Sequence, residues 1–118
     1  SDYARFAQML VNGGELDGVR ILGRKTVELM TSDHLPAGVA GPAPGLRYGL
    51  GVWVMSSPAE NGNLGSPGQF GWSGAATTHV VMDSKEKLVA ILCSHHMPID
   101  FAFTERFETL VYQALTTQ

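Results

Sequence analysis

The 118-residue sequence predicts an α+β domain: an antiparallel sheet of about three strands, with two N-terminal helices and a C-terminal helix packed on it. Three observations carry that expectation. Apolar side chains recur at helical spacing at both ends of the chain. Two β-rich runs, 76–82 and 88–94, are joined by the polar stretch Asp83-Ser84-Lys85-Glu86-Lys87, a hairpin signal. Between the helical ends, most of the fourteen glycines and six prolines cut the chain into short elements.

Ser1 or Asp2 supplies a short side-chain oxygen to cap the first helix. Tyr3, Phe6, Ala7 and Leu10 fall at i, i+3, i+4 and i+7 and define its apolar face. Asn12-Gly13-Gly14 ends it, because glycine tolerates the left-handed cap. Asp17-Gly18 is a turn signal, and residues 19–22 form a short extended stretch. A second helix is expected over 24–31, burying Val27 and Met30. Residues 35–47 hold three prolines and three glycines without the charge of a disordered linker, and read as an ordered loop. Residues 48–55 read as a strand with Tyr48, Leu50, Val52 and Val54 on one face. Gly49 and Gly51 on the other face admit a close neighbour. Residues 56–71 are loop. The run 88–93 is almost wholly apolar, as in a strand covered on both faces. The last helix, capped by Asp100 or Thr104, is expected to bury Phe103, Phe107, Leu110, Val111 and Ala114.

The formal net charge of −3 argues against a nucleic-acid partner, which normally meets a basic stripe. No apolar run approaches the roughly 18 residues of a membrane span, and no signal peptide is evident. The single Cys93 excludes an intrachain disulfide and any multi-cysteine metal site, but leaves the compartment open. A chain of this length can bury roughly 60–70% of its unfolded surface, enough for a core without staples. It opens without methionine, inside a helix, which points to a piece of something longer.

The densest chemical signal is Gly68-Gln69-Phe70-Gly71-Trp72-Ser73-Gly74-Ala75-Ala76, where a long loop enters a strand. Small residues there let a substrate approach backbone N–H groups, and two such donors at one spot stabilise an oxyanion. The alternative is a glycine-rich loop with Trp72 as a packing anchor. His95-His96 could hold a metal, but neighbours on a strand point to opposite faces and no third ligand follows at suitable spacing; a loop pair is the simpler reading. His79 lies inside a strand with no assigned role. His34 sits at a helix C-terminus, where a cation meets the helix dipole favourably. Cys93 reads as a buried, inert thiol and Trp53 as core.

The segments Asp2-Tyr3-Ala4-Arg5-Phe6-Ala7-Gln8-Met9-Leu10-Val11-Asn12-Gly13-Gly14, Gly18-Val19-Arg20-Ile21-Leu22 and Lys25-Thr26-Val27-Glu28-Leu29-Met30, followed by Tyr48-Gly49-Leu50-Gly51 and Gly71-Trp72-Ser73-Gly74, resemble one family. They are similar to the C-terminal portion of the serine β-lactamase-like hydrolases, closest to the class C-related esterases and penicillin-binding-protein-like enzymes. The resemblance covers nearly the whole chain and implies part of the β-lactamase/transpeptidase-like fold. Such enzymes use a Ser-x-x-Lys pair, a Tyr-x-Asn/Ser element and a Lys-Thr-Gly box, the last often replaced by Trp-x-Gly or His-x-Gly in esterase-like members. Trp72-Ser73-Gly74 matches that variant. The resemblance then implies that Ala75 gives a backbone N–H to the oxyanion and that Trp72, Ser73 and Gly74 line the acyl pocket. Without the lysine charge, a substrate carboxylate is held less well, which favours esters over β-lactams.

The other two motifs are absent. Tyr3, Tyr48 and Tyr112 are followed two positions later by Arg, Leu and Ala. The one literal Ser-x-x-Lys, Ser84 to Lys87, falls in a charged hairpin turn, where the lysine is solvated and cannot act as a depressed-pKa base. The nucleophile is therefore expected outside these residues. The chain is expected to be the C-terminal portion of a serine hydrolase, inactive alone, needing no cofactor and acting on a small ester or amide. It would pair with the N-terminal part of the same enzyme or form a homodimer through an exposed sheet edge. The alternative is a non-catalytic binding or oligomerisation module derived from such an enzyme. Members of the family are often periplasmic or secreted and some are cytoplasmic, so localisation stays open.

Overall fold

The computed structural model describes residues 1–116. Helix α1 (Asp2–Val11) begins where the Ser1 hydroxyl accepts the Ala4 N–H at 3.2 Å, which settles the cap on Ser1. Strands β1 (Glu15–Leu16) and β2 (Val19–Arg20) form a tight hairpin whose two turn residues, Asp17 and Gly18, both have positive φ (52° and 79°). That is the conformation a two-residue hairpin needs, and Asp-Gly supplies it. Helix α2 (Arg24–Met30) follows, with Val27 buried and Met30 packed against the core.

The main sheet has five antiparallel strands in the order β3 (Leu46–Tyr48), β4 (Trp53–Met55), β5 (Phe70–Gly74), β6 (Thr78–Asp83) and β7 (Leu88–Leu92). The short helix α3 (Pro58–Asn61) lies between β4 and β5, and α4 (Phe101–Gln113) closes the chain. The α+β class with flanking helices stands, with two more strands than the sequence marks. Residues 48–55 divide because Gly51 turns the chain at φ 78°, so Tyr48 pairs back on Trp53. Gly49 does admit a close neighbour: a Cβ there would fall 2.3 Å from the Met30 carbonyl oxygen. The second extra strand is the Trp-Ser-Gly segment itself.

Pairing register sorts the side chains into two faces, since directly opposed residues share a side. One row runs Tyr48–Trp53–Gly71–Val81–Ala90, and the next on that face contains Ser73–His79–Leu92; α4 covers this side. The other face carries Val54, Phe70, Val80 and Met82, which pack with Ala7, Met9, Leu10 and Val11 of α1 and Val27 of α2.

Three local expectations change. In α1, Tyr3 and Phe6 are about half exposed while Ala7, Met9, Leu10 and Val11 are buried, so the buried stripe is rotated toward the C-terminal turn. In α4, Phe107 and Val111 face the sheet as expected, but Phe103, Leu110 and Ala114 are exposed, and Thr104, Glu108 and Tyr112 take their place. Two polar members, Thr104 and Glu108, hide that stripe from a purely apolar count. Cys93 lies just past the end of β7 and is exposed, not buried.

The proline-rich loop is ordered by one side chain. Arg47, on β3, pairs with Asp33 (Nε–Oδ2 2.8 Å) and donates to the carbonyls of Leu35, Pro36 and Val39. The Asp33 carboxyl is held below its usual range, first by the Leu35 N–H and then by Arg47. His34 caps α2 from the same loop, its Nε2 donating to the Leu29 carbonyl at 2.6 Å. Among the described residues, no helix is long and apolar enough to cross a membrane.

Candidate active site

Strand β5 carries the candidate site because it outruns its neighbour. Only Phe70 and Gly71 pair with β4, through Val54 and Trp53, whereas Phe70 to Gly74 all pair with β6. Trp72, Ser73 and Gly74 therefore have one backbone edge in the sheet and the other open beyond the end of β4. A cavity of about 320 Å³ borders that edge, lined by Tyr48, Trp72, Ser73, Gly74, Ala75 and Phe101 among others. Trp72 is 48% exposed, and its ring meets Tyr48 at 6.2 Å between centroids. All four residues expected at the site thus share one cavity wall.

Gly71 is needed beneath this wall. A Cβ on it would lie 2.1 Å from the Val80 carbonyl oxygen and 2.7 Å from Trp53 Cζ2, so the Trp53 indole lies directly on the strand. On its far side Trp53 stacks with His79 (6.1 Å, 19° between planes), and Phe107 of α4 meets His79 edge-on (6.5 Å, 90°).

Beyond Gly74 the chain turns tightly. Thr77 sits at φ 61° and donates its N–H to the Gly74 carbonyl at 3.1 Å. The fully buried Thr77 hydroxyl donates to the His96 carbonyl (2.7 Å) and accepts the Asp100 N–H (3.1 Å). Asp100 in turn caps α4 by accepting the Phe103 N–H at 3.3 Å, which decides the cap between Asp100 and Thr104. One threonine therefore anchors the 95–100 loop and the start of α4 to the turn that holds Ala75.

Behind the strand lies a polar chain that the sequence reading did not find. Ser73 Oγ is 2.6 Å from His79 Nδ1, and His79 Nε2 is 3.2 Å from Glu108 Oε1. Ser73 and His79 are register partners across the tight turn, their numbers symmetric about Ala76. Placing the second strand's start at residue 76 conceals that symmetry; placing the turn at 74–78 reveals it. His79 is buried, and the His79 Nε2 and Glu108 Oε1 atoms face each other outside hydrogen-bond geometry.

The remaining candidates lie elsewhere. Ser84 and Lys87 occupy the exposed turn between β6 and β7, with Lys87 at φ 54°. Asp83, fully buried, organises that turn by accepting the Lys85 and Glu86 N–H groups, and accepts the Tyr112 hydroxyl at 2.7 Å. Burial and this carboxylate push the Tyr112 phenol well above its ordinary value. His95 and His96 are exposed loop residues, and among the described residues no group of three His, Cys, Asp or Glu is placed to hold a metal.

The chain matches known proteins along almost its whole length. The family model described as Beta-lactamase matches residues 1–113, and the chain belongs to that family. Protein Rv1367c and Uncharacterized protein MT1414, both of Mycobacterium tuberculosis, are each 34% identical over 107 residues, covering 82% of this chain and 27% of the relative. The chain thus spans about a quarter of the length of the curated relatives it matches. Among solved structures, "EstCE1, a hydrolase with promiscuous acyltransferase activity" superposes with a TM-score of 0.77 at 18% identity, over 90% of this chain and 27% of that one. A penicillin-binding protein homolog from Caulobacter crescentus gives 0.73 at 20% identity, over 95% and 30%. These two likenesses concern the fold.

Proposed function

We infer that this chain is the part of a serine hydrolase that walls the acyl site and gives one oxyanion donor, while the nucleophile comes from residues outside these 118. The supporting observation is the open edge of β5: Trp72 to Gly74 pair on one side only and border a cavity. A carbonyl seated there would meet the Ala75 N–H as its oxygen gains charge. A donor fixed before the reaction stabilises that charge without reorganisation, typically by about 3–4 kcal/mol of barrier. The attacking serine would form an ester with the acyl group and expel the leaving alcohol, and water or a second alcohol would then take the acyl group. The hydrolase EstCE1 is named for promiscuous acyltransferase activity.

Two further features support an external nucleophile. The only Ser-x-x-Lys here lies in an exposed turn, where Lys87 cannot serve as a desolvated base. Apolar side chains also stand exposed on the outer surface of α4, at Phe103 and Leu110, as on a surface that another part of an enzyme covers.

The test compares the full-length protein with the 118-residue chain, using p-nitrophenyl acetate and a fluorophosphonate label. Turnover and labelling are expected in the full-length protein, with the labelled serine outside these residues. Hydrolysis or labelling by the 118-residue chain alone would overturn the assignment, and so would an inert full-length protein.

A further inference from the structure

A second cavity, of about 220 Å³, lies between β5 and α4, and Ser73 lines both it and the cavity at the strand edge. Trp53, Met55 and Phe101 give it apolar walls, and Ser73, His79, Glu105 and Glu108 give it polar groups. Apolar walls with a few convergent polar atoms are the usual make-up of a small-molecule site.

The protons can be placed from the contacts. The Glu108 carboxylate can only accept, so the His79 Nε2 facing it at 3.2 Å bears the ring proton. Nδ1 is then an acceptor, and the 2.6 Å contact is the Ser73 hydroxyl donating to it. The Ser73 proton is committed to His79, and what Ser73 shows the cavity is its lone pairs. His79 is only 7% exposed, yet its Nε2 and the opposing Glu108 Oε1 have no hydrogen-bond partner. Buried polar atoms normally find a partner, so this pair has capacity for a bound group. Neither cavity is lined by a lysine or arginine among the described residues.

Among the lining side chains, His79 Nε2–H and the amides of Asn61 and Asn63 can donate, but nothing offsets the charge of the two carboxylates, Glu105 and Glu108. We propose that the cavity between β5 and α4 sets the charge preference of the substrate site, taking a small apolar group that bears a protonated amine and rejecting a carboxylate. The proposal rests on the reading that Trp72-Ser73-Gly74 lines the acyl site. An ammonium group entering past Phe101 meets the Ser73 lone pairs and the Glu108 carboxylate, with Glu105 at the exposed rim. The exposed ring of Phe101 on the lining adds cation–π attraction. A carboxylate would find the His79 Nε2–H as a donor but would be repelled by two acidic side chains, with no lysine or arginine to offset them.

The test uses three ligands of similar size, benzylamine, benzyl alcohol and phenylacetate, titrated into the full-length protein and followed by NMR at the Trp53 indole N–H. Benzylamine is expected to bind about tenfold or more tighter than phenylacetate, with the alcohol between them. Glu108→Gln should reduce the benzylamine-to-phenylacetate ratio several-fold. Because Glu108 is packed beside His79, the exposed Glu105→Gln serves as a second variant with the same expected direction. In parallel, 4-(aminomethyl)phenyl acetate should exceed 4-(carboxymethyl)phenyl acetate in kcat/KM. Equal binding, a preference for phenylacetate, or ratios unchanged in both variants would overturn the proposal whether or not esters are cleaved. A benzylamine preference without cleavage of any ester, neutral ones included, would uphold the charge preference and overturn the hydrolase reading.

Discussion

On the α1 side of the sheet, Val54, Phe70, Val80 and Met82 pack with Ala7, Leu10 and Val27 as one continuous apolar cluster. On the α4 side the same strands give an apolar cluster of only Trp53, Val81 and Ala90 among fully buried residues, with His79, Asp83 and Thr104 buried around it. A sheet face that served only stability would be filled with aliphatic side chains, because each buried polar group must recover its lost hydration through a partner. The α4 face accepts that cost at Ser73–His79–Glu108 and at Asp83–Tyr112. The first of these chains adjoins the open edge of β5, which is where the candidate chemistry lies. One face therefore carries most of the hydrophobic stabilisation, and the other trades part of it for positioned polar groups.

The largest expected effect tests the α1 face. Phe70 is 2% exposed at the centre of its cluster. Phe70→Ala removes a full aromatic side chain and leaves a cavity that a five-stranded sheet can only partly close, costing about 3–5 kcal/mol. Urea unfolding followed by circular dichroism measures the loss. A cost below about 1 kcal/mol would mean that this face is not the main source of stability.

A smaller effect is expected from the α4 face, with a pH signature that an apolar face cannot give. Tyr112→Phe removes the hydroxyl that donates to the buried Asp83 carboxylate at 2.7 Å. Hydrogen bonds to charged groups contribute about 1.5–3 kcal/mol, so the variant should lose a comparable amount at neutral pH. The Tyr112 phenol is raised in the folded protein, chiefly by burial and then by Asp83. Its stabilising contribution is therefore complete below the unfolded tyrosine value of about 10 and is lost as pH rises above it. The parent protein should lose stability more steeply than Tyr112→Phe above about pH 10, read as urea midpoints against pH. Parallel curves would show that the phenol is solvated and that this part of the α4 face is not sealed.

This division of labour also explains what the sequence could disclose. The β1–β2 turn, the α2 helix and the β6–β7 pair are legible because turn residues and apolar runs act locally: Asp17-Gly18 fits only a few turns, and 83–87 separates two β-rich runs. The β3–β4 and β5–β6 hairpins are not, since glycine-rich segments hide their turns. The α1-face core is half legible, through Ala7, Leu10 and Val27. The α4 stripe is legible only at Phe107 and Val111, because Thr104 and Glu108 turn inward through contacts with residues distant in sequence, and no periodicity of apolar residues includes them. Trp72, Ser73, Gly74 and Ala75 could be marked as a unit because their motif is contiguous. His79 and Glu108 join them only after the register across Ala76 and the docking of α4 are known, and both are tertiary facts.

The smallest effect concerns a region outside both faces and serves as their control. Asp33 is exposed and joins the Leu35 N–H and Arg47 to hold the 33–39 loop against β3. Its carboxyl is depressed, so its contribution is present above the unfolded aspartate value of about 4 and is lost only as pH falls through the lower folded value. Hydrogen exchange at the Leu35 amide should therefore show constant protection, after correction for intrinsic rates, from neutral pH down to about 4, and a decline below that. In Asp33→Asn the low-pH decline should vanish, because the titrating group is gone and only weaker neutral contacts remain. Global stability should change little in this variant, since exposed ion pairs are screened by solvent. A global loss rivalling that of Tyr112→Phe would place the Arg47 clasp in the core and blur the contrast between the two faces.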